Sequence, residues 1–424
     1  MFYRFRSRKV LVPLLLVALL SIFLALCSCK RTAGQHVYLT WNQDDTSTSI
    51  TVNFHSPERD ALPRFVYYGT LPGGGTPGSY PFKSTMTGTY SEAGQRTVYS
   101  ADLTQLTPNT AYYFVIGDES KAVAREDKFK TLPGDGESEI RFITGGDMGL
   151  ASEVAALERM ASLRDPMFAL IGGDVVYDNG DPKNFWFWDD WLESWSKNMR
   201  RADGSLIPIV MAAGNHEVDG GYGGPAERAP FYRDFFFPGE KRSYFSRRFG
   251  GHTAIYVLDT DHIALVDGAQ KDWLAADLSS DQDLANRFAL YHVPLYPSVR
   301  SPDDSVTTRA RHSWGPLFDQ FQLTAAFENH DHALKRTHPL RAGIPAATGT
   351  IYVGDGCFGT KPREVAPGRD YIANSVGIRH FWSIRATPTQ VRLDAFDIKG
   401  RLRDSTTINR SNSGGSAQQR LPNE

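Results

Sequence analysis

Seven side chains of this sequence could together hold metal ions, and each follows closely on an apolar run. Asp147 ends "IRFITGGD", Asp174 and Tyr177 follow "MFALIGG", and Asn215 follows "IPIVMAAG", with His216 next to it. His292 ends "NRFALYH", and His330 and His332 end "LTAAFENHDH". Seven oxygen and nitrogen donors exceed the needs of one tetrahedral ion. They suit two ions a few ångströms apart with one carboxylate shared between them. The mixture of carboxylate, imidazole and amide favours iron, zinc or manganese over calcium. Such a pair clamps an in-line displacement at phosphorus, lowers the pKa of a bound water and neutralises charge spreading over the phosphoryl oxygens. Singly, each residue has a plainer use. An Asp after a strand caps a helix, a lone His or Tyr packs or hydrogen-bonds, and His-x-His puts two side chains on one strand face. The signal is the ordered series GD-x-G, GD-x-x-Y, GNHE, a strand-end His and H-x-H, each after an apolar strand.

These residues require elements that bring them to one rim. Between 139 and 400, apolar strands alternate with helices such as "ASEVAALERMASL" and the aromatic "NFWFWDDWLESWSKNMRR". That alternation predicts an α/β domain with parallel strands, in which chemistry sits at the carboxyl ends. The aromatic spacing at 185–195 predicts core between sheet and helix rather than a base-stacking or sugar-binding platform. Residues 36–133 read differently. About seven short alternating strands with Gly/Pro-rich turns predict an antiparallel β-sandwich, without a His, Asp or Glu cluster, as a packing and spacer module. A polar linker joins the two at 131–139. Residues 401–424 are expected to form a C-terminal strand and a polar, disordered tail.

The chain has 424 residues, too many for one ordinary core. Its 46 basic and 48 acidic side chains nearly cancel, which excludes a strongly basic nucleic-acid binder as a description of the whole. Three cysteines exclude a disulfide scaffold, since Cys27 and Cys29 close the leader and only Cys357 remains. Residues 1–29 read as an export signal: Arg4, Arg6, Arg8 and Lys9 precede an apolar run from Val10 to Leu26. "LCSC" resembles a bacterial lipoprotein box, which implies lipidation at Cys29 and membrane contact through that anchor alone. Plain secretion and an uncleaved anchor are the alternatives. All three place the body outside the cytoplasm, in the cell envelope or secreted.

The ordered series resembles the calcineurin-like metallophosphoesterases. "GGDVVYDNG", with Tyr177 three residues after Asp174, resembles their purple acid phosphatase branch. "LTPNTAYYFV" resembles the tyrosine-corner segment of fibronectin type III domains, with Tyr112 at the corner, and "TIYVGDGCFG" resembles that family's late strand and loop. The resemblance implies a fibronectin III-like sandwich followed by a two-sheet β core flanked by helices. It also implies an acid phosphatase acting on small phosphate esters, with metal-bound hydroxide attacking phosphorus in line. Asp147, Tyr177 and His332 would hold Fe(III); Asn215, His292 and His330 a second ion, Zn, Mn or Fe; Asp174 would bridge them. His216 would contact phosphate and serve the leaving group.

Two departures stand out. Asn329 occupies a position where the family carries Gly. "HVPLYPSVRSPDD" also lacks the two consecutive histidines that plant-type members carry after the strand-end His. Arg300, with Arg309, Arg311 or His312, is the candidate replacement at phosphate. A phosphodiesterase acting on nucleotides, phospholipid head groups or cell-wall polymers keeps the same chemistry. A catalytically dead surface-binding protein is the reading from another class. His36, His55, His252, His262, His338 and His380 match no motif position and are expected to be structural or surface residues.

Overall fold

The computed structural model describes residues 33–57, 63–237 and 242–410. The expected leader with Cys29, and the chain beyond 410, lie outside the described residues.

The first domain is a sandwich of two four-stranded antiparallel sheets, eight strands where about seven were expected. One sheet runs His36–Thr40, Ile50–Ser56, Arg96–Leu103, Thr87–Ser91; the other runs Phe82–Thr85, Phe65–Gly69, Ala111–Gly117, Asp127–Lys130. Alternation sends Leu39, Val52, Phe54, Val66 and Phe114 into the core between them. The Tyr112 hydroxyl accepts a hydrogen bond from Thr107 N at 2.9 Å, the tie expected of a tyrosine corner.

The second domain stacks two mixed sheets. Strands Ile140–Gly145, Phe168–Ile171 and Ile209–Met211 run parallel and start a six-stranded sheet. His380–Ala386, Gln390–Asp397 and Leu402–Asn409 complete it antiparallel, so the C-terminal strand is this sheet's edge. The seven-stranded sheet has Thr253–Val257, Asn286–Leu290, Ala325–Phe327 and Ile351–Gly354 parallel at its centre. Phe142, Phe168, Phe288 and Phe327 meet between the sheets. Apart from Arg141 and Gly145 near the ends of the first, the parallel strands of both sheets are buried, which is why they read as nearly continuous apolar runs.

The aromatic helix Phe185–Asn198 buries Phe185, Trp188, Trp191, Leu192 and Trp195. It packs on helix Ser152–Ser162 and on strand His36–Thr40 of the sandwich, so it is core and also seam between the domains. At that seam Asp189 accepts from both Arg96 Nη1 (2.6 Å) and Nη2 (3.0 Å), with His36 Nε2 at 2.8 Å. Trp41 adds edge contacts to Phe168 and Phe249. Among the described residues no helix is long and apolar enough to cross a membrane.

Candidate metal centre

The carboxyl ends of Ile140–Gly145 and Phe168–Ile171 lead into two loops that run side by side. Asp147 N, Met148 N and Gly149 N donate to the carbonyls of Gly173, Asp174 and Val175 at 2.8–3.0 Å. The loop after Ile209–Met211 joins them through Glu217, whose buried carboxylate accepts from Asp174 N, Val175 N and Gly214 N at 2.7–2.8 Å. From the other sheet, Asn329 N donates to His292 O (3.0 Å) and His330 N to Asp147 Oδ2 (2.8 Å). Each ligand loop is thus stitched to the next by backbone groups.

The paired glycines have a steric cause. A Cβ on Gly172 would come within 1.8 Å of the Asn329 amide nitrogen, and one on Gly146 within 2.5 Å of its oxygen. Asn329 fills this space and donates to Tyr291 O at 2.9 Å, so the departure from Gly is accommodated by the glycines facing it. Five of the seven candidate ligands, Asp147, Asp174, Tyr177, His330 and His332, have φ between +51° and +76°. Non-glycine residues adopt that conformation at a cost that surrounding structure must offset, and such residues cluster at functional sites.

The side chains fall into two groups. In one, His332 Nε2 lies 2.9 Å from Asp147 Oδ1 and 3.4 Å from the Tyr177 hydroxyl. In the other, His292 Nε2 lies 3.2 Å from Asp174 Oδ2, 3.2 Å from Asn215 Oδ1 and 3.1 Å from His330 Nδ1. Asp174, His292 and His330 can point one donor atom each to within 4.8 Å of one another. Burial resists ionisation of Asp174, but the facing His292 imidazole outweighs it and holds the carboxyl well below its ordinary value. Burial, then the charges of Asp147 and Asp174, push the Tyr177 phenol far up, so its phenolate form needs a cation beside it.

The donor set fits metal ions. Asp147 Oδ1 is buried without a hydrogen-bond partner although an imidazole nitrogen sits 2.9 Å away. Buried acceptors are ordinarily satisfied. Two lone pairs at that spacing without hydrogen-bond alignment is an arrangement that a cation between them satisfies. His216 stands apart from both groups. Its ring lies against Tyr177 at a tilt of 40° with centroids 4.3 Å apart, its Nδ1 meets Asn179 Oδ1 at 2.5 Å, and its Nε2 lies 3.9 Å from Asp174 Oδ2. Its side chain is 37 % exposed, whereas the side chain of Asp174 is 2 % exposed.

Arg300 faces the centre, with Nη2 donating to His330 O at 3.4 Å. Arg309 and Arg311 are engaged elsewhere, contrary to their candidacy: Arg309 pairs with Asp261 at 2.6 Å and Arg311 donates to the carbonyls of Leu295 and Pro302. His312 is exposed on helix Ser305–Gln320. Three contributors escaped the motif reading: Glu217, Asn179 and Arg363, whose Nη1 also reaches His330 O at 3.5 Å. Of the histidines expected to be structural, His262 lies nearest the site, with its ring 5.5 Å from His292 and hydrogen-bonded to Gly221 O.

The domain models agree with this architecture. Residues 35–131 match the purple acid phosphatase N-terminal domain, and residues 142–334 match the calcineurin-like phosphoesterase domain. The chain therefore carries a purple acid phosphatase N-terminal domain followed by a calcineurin-like phosphoesterase domain. It is 26 % identical over 352 residues to an uncharacterized protein of Mycobacterium tuberculosis, covering 72 % of this chain and 63 % of that one. It is 25 % identical over 350 residues to purple acid phosphatase 15 of Arabidopsis thaliana, covering 74 % and 62 %. It thus spans somewhat under two thirds of the length of these relatives. Among solved structures, purple acid phosphatase PPD1 of yellow lupin superposes with a TM-score of 0.74 at 20 % identity, over 89 % of this chain and 74 % of that one. PhoD superposes with a TM-score of 0.64 at 13 % identity, over 88 % of each. These likenesses show the fold.

Proposed function

We propose that the protein is a dinuclear metal-dependent phosphomonoesterase acting outside the cytoplasm. The observation that supports this most is the division of the seven donors into two groups sharing one buried rim. Asp147, Tyr177 and His332 would hold Fe(III), Asn215, His292 and His330 a zinc, manganese or iron(II) ion, and Asp174 would serve both. When bound, the two ions supply Lewis acidity toward the phosphoryl oxygens and a nucleophile from water.

The chain's own residues do the rest. Glu217, bonded to three backbone amides, fixes the Asp174 loop against the Asn215 loop, so the two groups keep their separation. His216 is held by Asn179 at Nδ1 and turned so that Nε2 faces the Asp174 side. From there its imidazolium Nε2–H gives a proton to the leaving-group oxygen. Burial lowers the His216 pKa, opposed by Asp174, and a lowered value makes the cation the stronger acid. Small phosphate esters are the substrates of this reading, and nucleic acid is not. The expected export signal is its basis for location. Purified protein reconstituted with iron and zinc should hydrolyse p-nitrophenyl phosphate faster than bis(p-nitrophenyl) phosphate. Faster hydrolysis of the bis-ester would favour a phosphodiesterase, and hydrolysis of neither would sink the assignment.

A further inference from the structure

Two guanidiniums converge on one backbone oxygen at the mouth of the centre. Arg300 Nη2 lies 3.4 Å and Arg363 Nη1 3.5 Å from His330 O. Both are fixed to the H-x-H loop, Arg363 through His332 and Arg300 through Asp331. Arg363 follows Pro362, its backbone N donates to His332 O (2.9 Å), and the preceding Gly359 and Thr360 amides donate to Asp147 O. Arg363 therefore belongs to the Asp147–Tyr177–His332 side. The fully buried Asp331, between the two histidines of H-x-H, accepts from Val299 N (2.6 Å) and Arg300 N (3.2 Å) and lies 3.6 Å from Arg300 Nε. Asp355 takes Ser298 N and Oγ, and Arg369 donates to Val299 O and Arg300 O, so the whole 298–300 turn is pinned.

Like charges brought to one point repel unless an anion lies between them. A single carbonyl satisfies one N–H of each five-donor fork. Arg300 Nε is buried without a hydrogen-bond partner, and among the described residues Arg363 has no carboxylate within ion-pair distance. Guanidinium forks match the spacing of phosphoryl oxygens.

We propose that Arg300 and Arg363 form a paired clamp for the non-bridging oxygens of a dianionic phosphate monoester, with Asp331 as the residue that positions Arg300. This rests on the phosphoesterase reading and deepens it. A monoester offers three non-bridging oxygens and two charges, a diester two oxygens and one charge. The clamp therefore rewards the monoester and takes the place of the absent histidine pair.

The test uses Arg300→Ala and Arg363→Ala in the metal-loaded protein. Each should lower kcat/KM for p-nitrophenyl phosphate by about 10- to 100-fold, and that for the bis-ester by less than about 3-fold, with metal content unchanged. Inorganic phosphate, titrated calorimetrically, should bind about 10-fold more weakly to each variant. Lysine at either position should restore only part of the loss. Asp331→Asn should weaken phosphate binding in the wild-type background and add little in Arg300→Ala. Equal losses on mono- and diester, unchanged phosphate affinity, or loss of metal in the arginine variants would overturn the clamp. Should the wild type hydrolyse neither ester, the phosphoesterase reading fails by itself, and phosphate titration still judges the clamp.

Discussion

At the domain seam, Arg96, Asp189 and His36 satisfy one another; at the strand ends, Asp147, Asp174 and three histidines do not. Asp189 receives Gly34 N, His36 Nε2 and both Arg96 amino groups at 2.6–3.0 Å, and Arg96 spends its Nε on Gly94 O. Opposite charges face each other there with aligned hydrogen bonds, which is how a buried ion pair offsets its desolvation. At the centre, donors of one kind crowd together. His292 Nε2 has Asp174, Asn215 and His330 around it, and Asp147 Oδ1 has no hydrogen bond at all. Both clusters are buried and charged. What separates an element of structure from a binding site is whether the hydrogen-bonding accounts close without a ligand.

Substitutions should break the two clusters in different ways. The largest effect is expected for Asp174→Asn, which should lower both metals' occupancy and cut activity by about 1,000-fold or more. Elemental analysis beside kcat checks it, and full metal content in that variant would contradict a shared role. His216→Ala should keep its metals and lose about 100-fold in kcat, a split that distinguishes a proton-donating residue from a ligand.

Asp189→Asn should leave metal content and kcat untouched. It should cost about 3 kcal/mol in urea unfolding, the usual result of removing one partner of a buried pair. Acid should erase that difference. Burial pushes the Asp189 carboxyl up, but His36 and Arg96 outweigh it and hold the folded-state pKa below its ordinary value. The stability this supplies is present above about pH 4 and is lost as pH falls through the folded-state pKa. The gap in Tm between wild type and Asp189→Asn should therefore shrink from pH 6 toward pH 3. A constant gap would mean that packing, not charge, accounts for the loss.

The contrast also explains what the sequence could show. Asp147, Asp174, Asn215, His292 and His330 were legible because a buried parallel strand is a continuous apolar run, and the first polar residues beyond it stand at the functional edge. The aromatic helix at 185–195 was legible as core from its spacing. Its place at the domain seam was not, because that depends on strand His36–Thr40 some 150 residues earlier. Asn329 read only as a departure. Its reason lies in Gly146 and Gly172, which come from a different sheet and make room for it. Arg363 carried no motif; it acquires meaning only when the loop at 359–363 folds against Asp147 and His332. Arg309 and Arg311 follow soon after Arg300 in sequence, but helix Ser305–Gln320 turns them toward Asp261 and the carbonyls of Leu295 and Pro302.

The most direct measurement is elemental analysis of the purified protein together with its visible spectrum. Two metal ions per chain, one of them iron, with an absorption band in the green-yellow region that disappears in Tyr177→Phe, is the result this account expects. Protein that takes up no metal under conditions where it stays folded, or that binds two ions equally well after Asp147 and Asp174 are both replaced, would contradict it.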